Sequence, residues 1–232
     1  MDQRKNVTAQ SGFTGVYDIE NRLQEATKNS SILYGYGADN RRIYDSRRKQ
    51  VYTNGDTIEE NVTYWSGQRI GWYRIRWNGT INTGPPDSFV FAKVEENLYF
   101  GSKPLKLGSE TTISTDRLGS VRRSNKDYFP YGQESPTTTA GDKEKYATYK
   151  HDAATDLSYA DQRYYATGAG RFMTADPYQA SGGPSEPGSW NRYASVDGDP
   201  VNYGDPAGLM RENCGPGWAT DSSLSGHIYI FN

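Results

Sequence analysis

The sequence predicts an all-β fold of short antiparallel strands, and three observations carry that expectation. Only 34% of the 232 residues are hydrophobic, yet there are 19 Tyr and 5 Trp against 7 Phe. Tyr and Trp bury a large ring and keep a polar end for hydrogen bonding, which suits thin sheets wetted on one side. The 25 Gly and 11 Pro read as tight turns between many strands, and long amphipathic helices do not appear. Finally, Tyr17-Asp-Ile-Glu-Asn-Arg22-Leu23 returns as Tyr36-Gly-Ala-Asp-Asn-Arg41-Arg42-Ile43. A period of about 20 residues fits one β-hairpin per repeat, stacked along a curved antiparallel sheet.

Hairpin signals continue after the repeat. Val62-Thr-Tyr-Trp65 leads into Ser66-Gly67 and the strand-like run Gln68 to Trp77, which ends at Asn78-Gly79. Asn-Gly is a strong turn signal because both central positions of the turn need φ > 0. Alternation puts Tyr73, Ile75 and Trp77 on one face, assigned to the core. Trp72, Arg74 and Arg76 take the other, a candidate binding face on which Arg74 can stack over Trp72. Thr80 to Ser88 is read as a loop, and Phe89 to Val94 and Leu98 to Phe100 resume the strands. Further breaks fall at Ser135 to Asp142 and Ser181 to Ser189. None is a domain linker, so residues 17–44 and 62–115 are expected to share one sheet system with 116–209.

Composition also excludes several functions. A net charge of -2 argues against a nucleic-acid partner. The cluster Arg41, Arg42, Arg47, Arg48 and Lys49 is read as a solvated surface, with an anionic polymer as the alternative. The single cysteine, Cys214, excludes a disulfide framework, and His151 and His227 have no metal-ligand spacing, so neither metal nor cofactor is expected. Cys214 and His227 as nucleophile and base is the weaker reading of two tail residues. With mean hydropathy at -0.88, no apolar run is long enough for a membrane span. Met1 to Gln10 lacks the apolar stretch of a signal peptide. The sequons at Asn6, Asn29, Asn61 and Asn78 are read as chance.

From residue 116 the chain resembles a known family through pieces that keep the family's order. These are Asp116-Arg-Leu-Gly-Ser-Val-Arg122, Tyr128-Phe-Pro-Tyr-Gly132, the segment Tyr149 to Tyr165, and Gly170-Arg171-Phe172-Met-Thr-Ala-Asp176-Pro177. Asn191-Arg192-Tyr193 and Asp199-Pro200-Val-Asn-Tyr203 follow, and the series ends in Asp205-Pro206-Ala-Gly208-Leu209. Together they resemble the core associated with Rhs/YD repeats, as in the C components of Tc toxins, bacterial Rhs toxins and teneurins. Asp156 departs from the family's turn glycine, but Asp tolerates the left-handed conformation. Gly198-Asp199-Pro200 replaces its Asn-Asn-Pro.

The resemblance implies a hollow β-shell of stacked hairpins, with residues 1–115 as a YD-repeat-like segment and 116–209 as a core that plugs one end. Residues 210–232 form a short variable tail. The implied role is encapsulation by a secreted or bacterial cell-surface protein, with a toxin effector, the rest of the shell or a second copy as partner. It also implies aspartate-dependent self-cleavage at Leu209–Met210, with Asp176 and Asp205 as the carboxylates and Arg171 as their positioning cation. Two carboxylates sharing a site do not both ionise cheaply, so one serves as acid while the other activates water. The plainer reading makes these aspartates turn caps before proline. A glycan- or surface-binding module is the remaining alternative.

Overall fold

In a computed structural model the chain is described at residues 1, 6–10, 12–28, 30–51, 55–78, 88–101, 103–123, 126–177 and 187–213. Asn29, Gly79, most of the breaks at Thr80 to Ser88 and Ser181 to Ser189, Cys214 and His227 lie outside them. The fold is β throughout, and its helical pieces are 3-10 turns of three or four residues. A nine-stranded meander comes first: β1 (Ala9–Gln10), β2 (Phe13–Tyr17), β3 (Leu23–Thr27), β4 (Ser31–Tyr36), β5 (Arg42–Val51), β6 (Gly55–Ser66), β7 (Gln68–Asn78), β8 (Ser88–Phe100) and β9 (Lys103–Leu107). Spatial order equals chain order.

The repeat seen twice in the sequence occurs four times in space. Tyr17, Tyr36, Trp65 and Tyr99 each follow a register shift at the end of a hairpin strand. A bulge turns the strand and re-aims the next side chain, and here it points each ring at the preceding hairpin. Tyr17 Oη donates to Val7 O (2.9 Å), Tyr36 Oη to Leu23 O (2.7 Å), Trp65 Nε1 to Arg42 O (2.9 Å) and Tyr99 Oη to Arg69 O (3.1 Å). The arginine of each sequence repeat stacks on the following ring, Arg22 over Tyr36 and Arg41 over Trp65. The repeat's Asn21 and Asn40 both have φ near +60°, the left-handed turn position Asn tolerates.

Two short hairpins, β10 (Ser114–Thr115) with β11 (Val121–Arg122) and β12 (Asp127–Tyr128) with β13 (Glu134–Ser135), lead to a five-stranded meander. Its strands are β14 (Lys143–Glu144), β15 (Lys150–Asp152), β16 (Leu157–Ala160), β17 (Arg163–Ala166) and β18 (Arg171–Phe172). A last pair, β19 (Tyr203–Gly204) with β20 (Glu212–Asn213), ends the described chain. The turn into β16 has Asp156 at φ +60°, the conformation expected where glycine is absent.

The expectation that residues 17–44 and 62–115 pair into one sheet system with 116–209 is corrected in its pairing: among the described residues no ladder joins the nine-stranded sheet to the five-stranded one. The halves instead share a core. Phe13, Leu23, Ile32 and Tyr34 pack in one cluster with Leu157, Tyr159, Tyr164 and Met173, and Val7 N donates to Met173 O at 2.8 Å. The opposite face of the five-stranded sheet holds Tyr146, Tyr149, Tyr165 and Phe172. Tyrosine thus supplies the core bulk that the aliphatic residues lack.

The face assignment in β7 is also corrected. Trp72 is buried, whereas Tyr73 and Ile75 are half-buried, and the side chain of Trp77 lies outside the described part. Lys150 from β15 caps the Trp72 ring with Nζ 4.6 Å from its centroid. Packing against the second sheet, not alternation within the strand, decides which face is inside. The face that was assigned to the core carries Tyr73 in ring contact with Tyr64 and with Phe91, both of them exposed.

Candidate functional site

Arg163 begins β17, on the same face as Tyr165 and Phe172. Its guanidinium lies 3.7 Å from the Phe172 ring centroid and only 3% of the residue is exposed. A buried cation needs partners for its donors, and three segments supply them. Nη2 reaches Asp205 Oδ2 at 3.2 Å and Asp176 Oδ2 at 3.3 Å. Nη1 donates to Arg192 O at 3.3 Å, and Nε donates to Gly208 O. One arginine therefore ties the Asp176-Pro177 segment, residue 192 and the Asp205–Gly208 turn together.

Asp205 is buried, and its Oδ1 accepts the backbone N–H of Leu209 (2.8 Å) and of Met210 (3.1 Å). The second of these is the nitrogen of the Leu209–Met210 peptide. The backbone oxygen of Asp205 accepts Tyr149 Oη at 2.5 Å, which fixes the residue from behind. Burial pushes the Asp205 carboxyl up to about 6, against the opposing pull of Arg163 and the two backbone N–H groups. Burial also lowers the Arg163 pKa, although both carboxylates oppose that shift.

Gly208 shows why the turn has its sequence. It has φ +69°, and a Cβ there would stand 2.6 Å from Ala160 O. Only glycine allows this close approach of the turn to β16. A cavity of about 200 Å³ opens beside the turn, lined by Arg163, Asp176, Asp205 and Met210 among others. It has room for water and for rearrangement of the peptide.

The structure thus brings together Asp176, Asp205, Leu209 and Met210 but puts Arg163, not Arg171, between the carboxylates. Pairing of Arg171 with Ala166 sets it in register with the face opposite Phe172. Arg163 was overlooked although the sequence contains its signal: Arg163-Tyr164-Tyr165 alternates so that Arg163 and Tyr165 share a face. The candidate binding face does not hold together either. Arg76 Nε pairs with Glu59 at 2.9 Å, and Arg74 Nε donates to Asn61 at 3.0 Å while stacking on Trp72. The basic cluster is split as well, with Arg42 buried and Arg47 paired to Asp142 at 2.6 Å. The sequons at Asn6 and Asn61 are on buried side chains.

Among the described residues no group of His, Cys, Asp and Glu is arranged for a metal ion, and no helix is long and apolar enough to cross a membrane.

No protein-family model matches the chain, and no curated protein matches it. Solved structures do. The Photorhabdus luminescens Tc holotoxin pore, carrying a mutation in TccC3, matches with a TM-score of 0.58 and 21% identity over 88% of this chain. The TcdB2–TccC3 structure matches with a TM-score of 0.59 and 21% identity over 88%. The chain spans about a tenth of the length of either, covering 10% and 11%. At this identity the likeness shows a Tc-toxin-type fold.

Proposed function

We propose that the chain is a shell segment of an Rhs/YD-repeat protein of the toxin-associated, secreted or cell-surface kind, whose core cuts its own backbone at Leu209–Met210. In this reading residues 1–115 are the hairpin array, 116–209 the core and 210–232 the released tail. An effector or the remaining shell is the partner. The observation that carries the proposal is that Arg163 holds Asp176 and Asp205 together while Asp205 contacts the nitrogen of the bond to be cut.

The chemistry balances as a hydrolysis. Asp176 takes a proton from water, whose oxygen adds to the Leu209 carbonyl carbon. Asp205 supplies the proton to the Met210 nitrogen as the C–N bond breaks. The proton that Asp176 took from water then passes to Asp205 and restores the pair, and the new Leu209 carboxyl gives its own proton to the released amine. A raised Asp205 pKa suits the acid, because that carboxyl keeps its proton at mildly acidic pH. Arg163 contacts both carboxylates and orients them.

Intact-mass measurement between pH 5 and pH 8 tests this. Wild type is expected to lose residues 210–232, and Asp205→Asn and Asp176→Asn to keep them. A wild type intact at every pH leaves the aspartates as turn residues of a purely structural segment.

A further inference from the structure

The upstream side of the Leu209–Met210 bond is fixed by Arg163, Asp205 and the Gly208 turn. Downstream, the pairing of β19 with β20 holds the chain from Glu212 on, and a further anchor at Arg211 keeps the peptide between them from sampling poses in which its carbonyl faces away from the cavity. Rate is lost steeply when a reacting bond is held loosely.

That anchor is an unusual piece of backbone. Val196 and Asp197 are consecutive non-glycine residues at φ +48° and φ +54°. Val196 is buried, and a β-branched residue in the left-handed region is a genuine outlier. Strain of this kind persists only where surrounding structure enforces it, and it concentrates at functional sites. Here it turns the Asp197 carboxylate toward the second residue beyond the bond: Asp197 Oδ2 lies 2.8 Å from Arg211 Nη1. The Arg211 guanidinium also stands 4.9 Å from the Tyr203 ring centroid, and the next residues pair with β19, Gly204 with Glu212 and Tyr203 with Asn213. Val196, Asp197, Met210 and Arg211 line the same cavity as Asp176, Arg163 and Asp205.

We infer that Asp197 is a positioning residue for the cut, clamping Arg211 so that the Leu209–Met210 peptide is held from both sides. This rests on the self-cleavage reading above. Asp197 touches no reacting atom and acts through Arg211 alone. The pair is partly exposed, with side chains 24% and 36% accessible, so as a surface ion pair it would add little to stability. The strained turn is accounted for by placement of the peptide rather than by folding energy.

The test is the time course of tail loss, followed by intact mass, in wild type, Asp197→Asn, Arg211→Gln and the swapped pair Asp197→Arg with Arg211→Asp. Asn tolerates the left-handed conformation, so Asp197→Asn changes charge and leaves the backbone as it is. Both single variants are expected to cut roughly ten- to a hundredfold more slowly. Their thermal midpoint and the pH at half-maximal rate should remain at the wild-type values. The swapped pair should regain part of the loss. Wild-type rates in both single variants would overturn the inference while leaving self-cleavage standing. A slowdown with a matching fall in thermal midpoint and no rescue by the swap would also overturn it, because the role would then be structural. An uncut wild type removes self-cleavage itself, and this inference with it.

Discussion

Arg42 and Asp152 lie 110 residues apart in sequence and form a buried ion pair, Nη1 to Oδ2 at 2.5 Å, with the two residues 2% and 0% exposed. Arg42 comes from β5 and Asp152 from β15, so the pair bridges the two sheets. Tyr34, Tyr159 and Tyr164 surround the guanidinium, and Tyr34 Oη donates to Asp152 at 3.1 Å. Burial works against the Asp152 charge, yet Arg42 outweighs it and holds the carboxyl below its usual range.

Removing one partner strands the other, so Asp152→Ala should cost about 3–5 kcal/mol of stability in urea unfolding. The double replacement Arg42→Met with Asp152→Leu should cost clearly less than Asp152→Ala alone. A single substitution costing under about 1 kcal/mol would mean that the pair contributes little to joining the sheets.

The spine of hairpin-end rings gives a smaller, cleaner effect. Tyr36→Phe keeps the ring under Arg22 and deletes the hydroxyl that Leu23 O accepts. The expected loss is about 1 kcal/mol. Trp65→Phe should cost more, since it removes both the Nε1 bond to Arg42 O and part of the surface on which Arg41 stacks. Chemical denaturation of the two variants gives the order directly.

Lys150 makes stability depend on pH in an unusual direction. Burial, helped by Arg69 and Arg42, depresses the amine to about 7, while Asp45 and Asp152 pull the other way. Contact with the Trp72 ring also favours the charged form. Because the folded pKa lies below the unfolded one, the unfolded chain binds more protons between pH 7 and about 10.4. Stability should therefore rise with pH through that window from this residue alone. Lys150→Met should flatten the rise and stabilise the protein at pH 7, as measured by unfolding midpoints at several pH values. A wild type whose stability falls over that range, with the same fall in Lys150→Met, would contradict it.

The all-β class and much of the second-half core were legible because the signals are local. Tyr159, Phe172 and one of Tyr164 and Tyr165 are the rings expected inside; all four are buried, because both faces of β17 are covered and the two adjacent tyrosines enter different clusters. The Tyr17 and Tyr36 repeats were visible, whereas Trp65 and Tyr99 were not, because a different ring and a shorter turn carry the same hydrogen bond. The aspartates could be placed from the resemblance, but their cation could not. Arg163 and Arg171 both neighbour the right strands, and only the pairing of Ala166 with Arg171 separates their faces. Trp72 was assigned outward because its cover, Lys150, comes from a distant strand.

Gly208→Ala probes the turn without touching a charged group. At φ +69° with Ala160 O 2.6 Å from the added methyl, the turn has to move away from β16. A strained residue of this kind costs about 1–3 kcal/mol, and the Arg163 bond to Gly208 O should be lost with it. Thermal unfolding should register the cost, and the proteolytic sensitivity of residues 205–213 should rise. An unchanged midpoint would mean that the turn is looser than its contacts imply.

The pH profile of cleavage separates the two arginines. If Asp205 donates the proton, the rate requires its neutral form, so it should fall about tenfold per pH unit above the point near 6 to which burial raises this carboxyl. Arg163 is a charge that holds the Asp205 pKa down. Arg163→Gln should therefore move the alkaline limb to higher pH while lowering the maximum, since the carboxylates lose their common donor. Arg171→Gln is expected to leave the limb where it is, because the strand register puts Arg171 on the other face. Rates taken by intact mass at half-unit pH steps decide the matter. A limb that moves in Arg171→Gln and stays put in Arg163→Gln would return the role of positioning cation to Arg171. A rate that instead climbs through pH 6 in wild type would make Asp205 the base and Asp176 the donor.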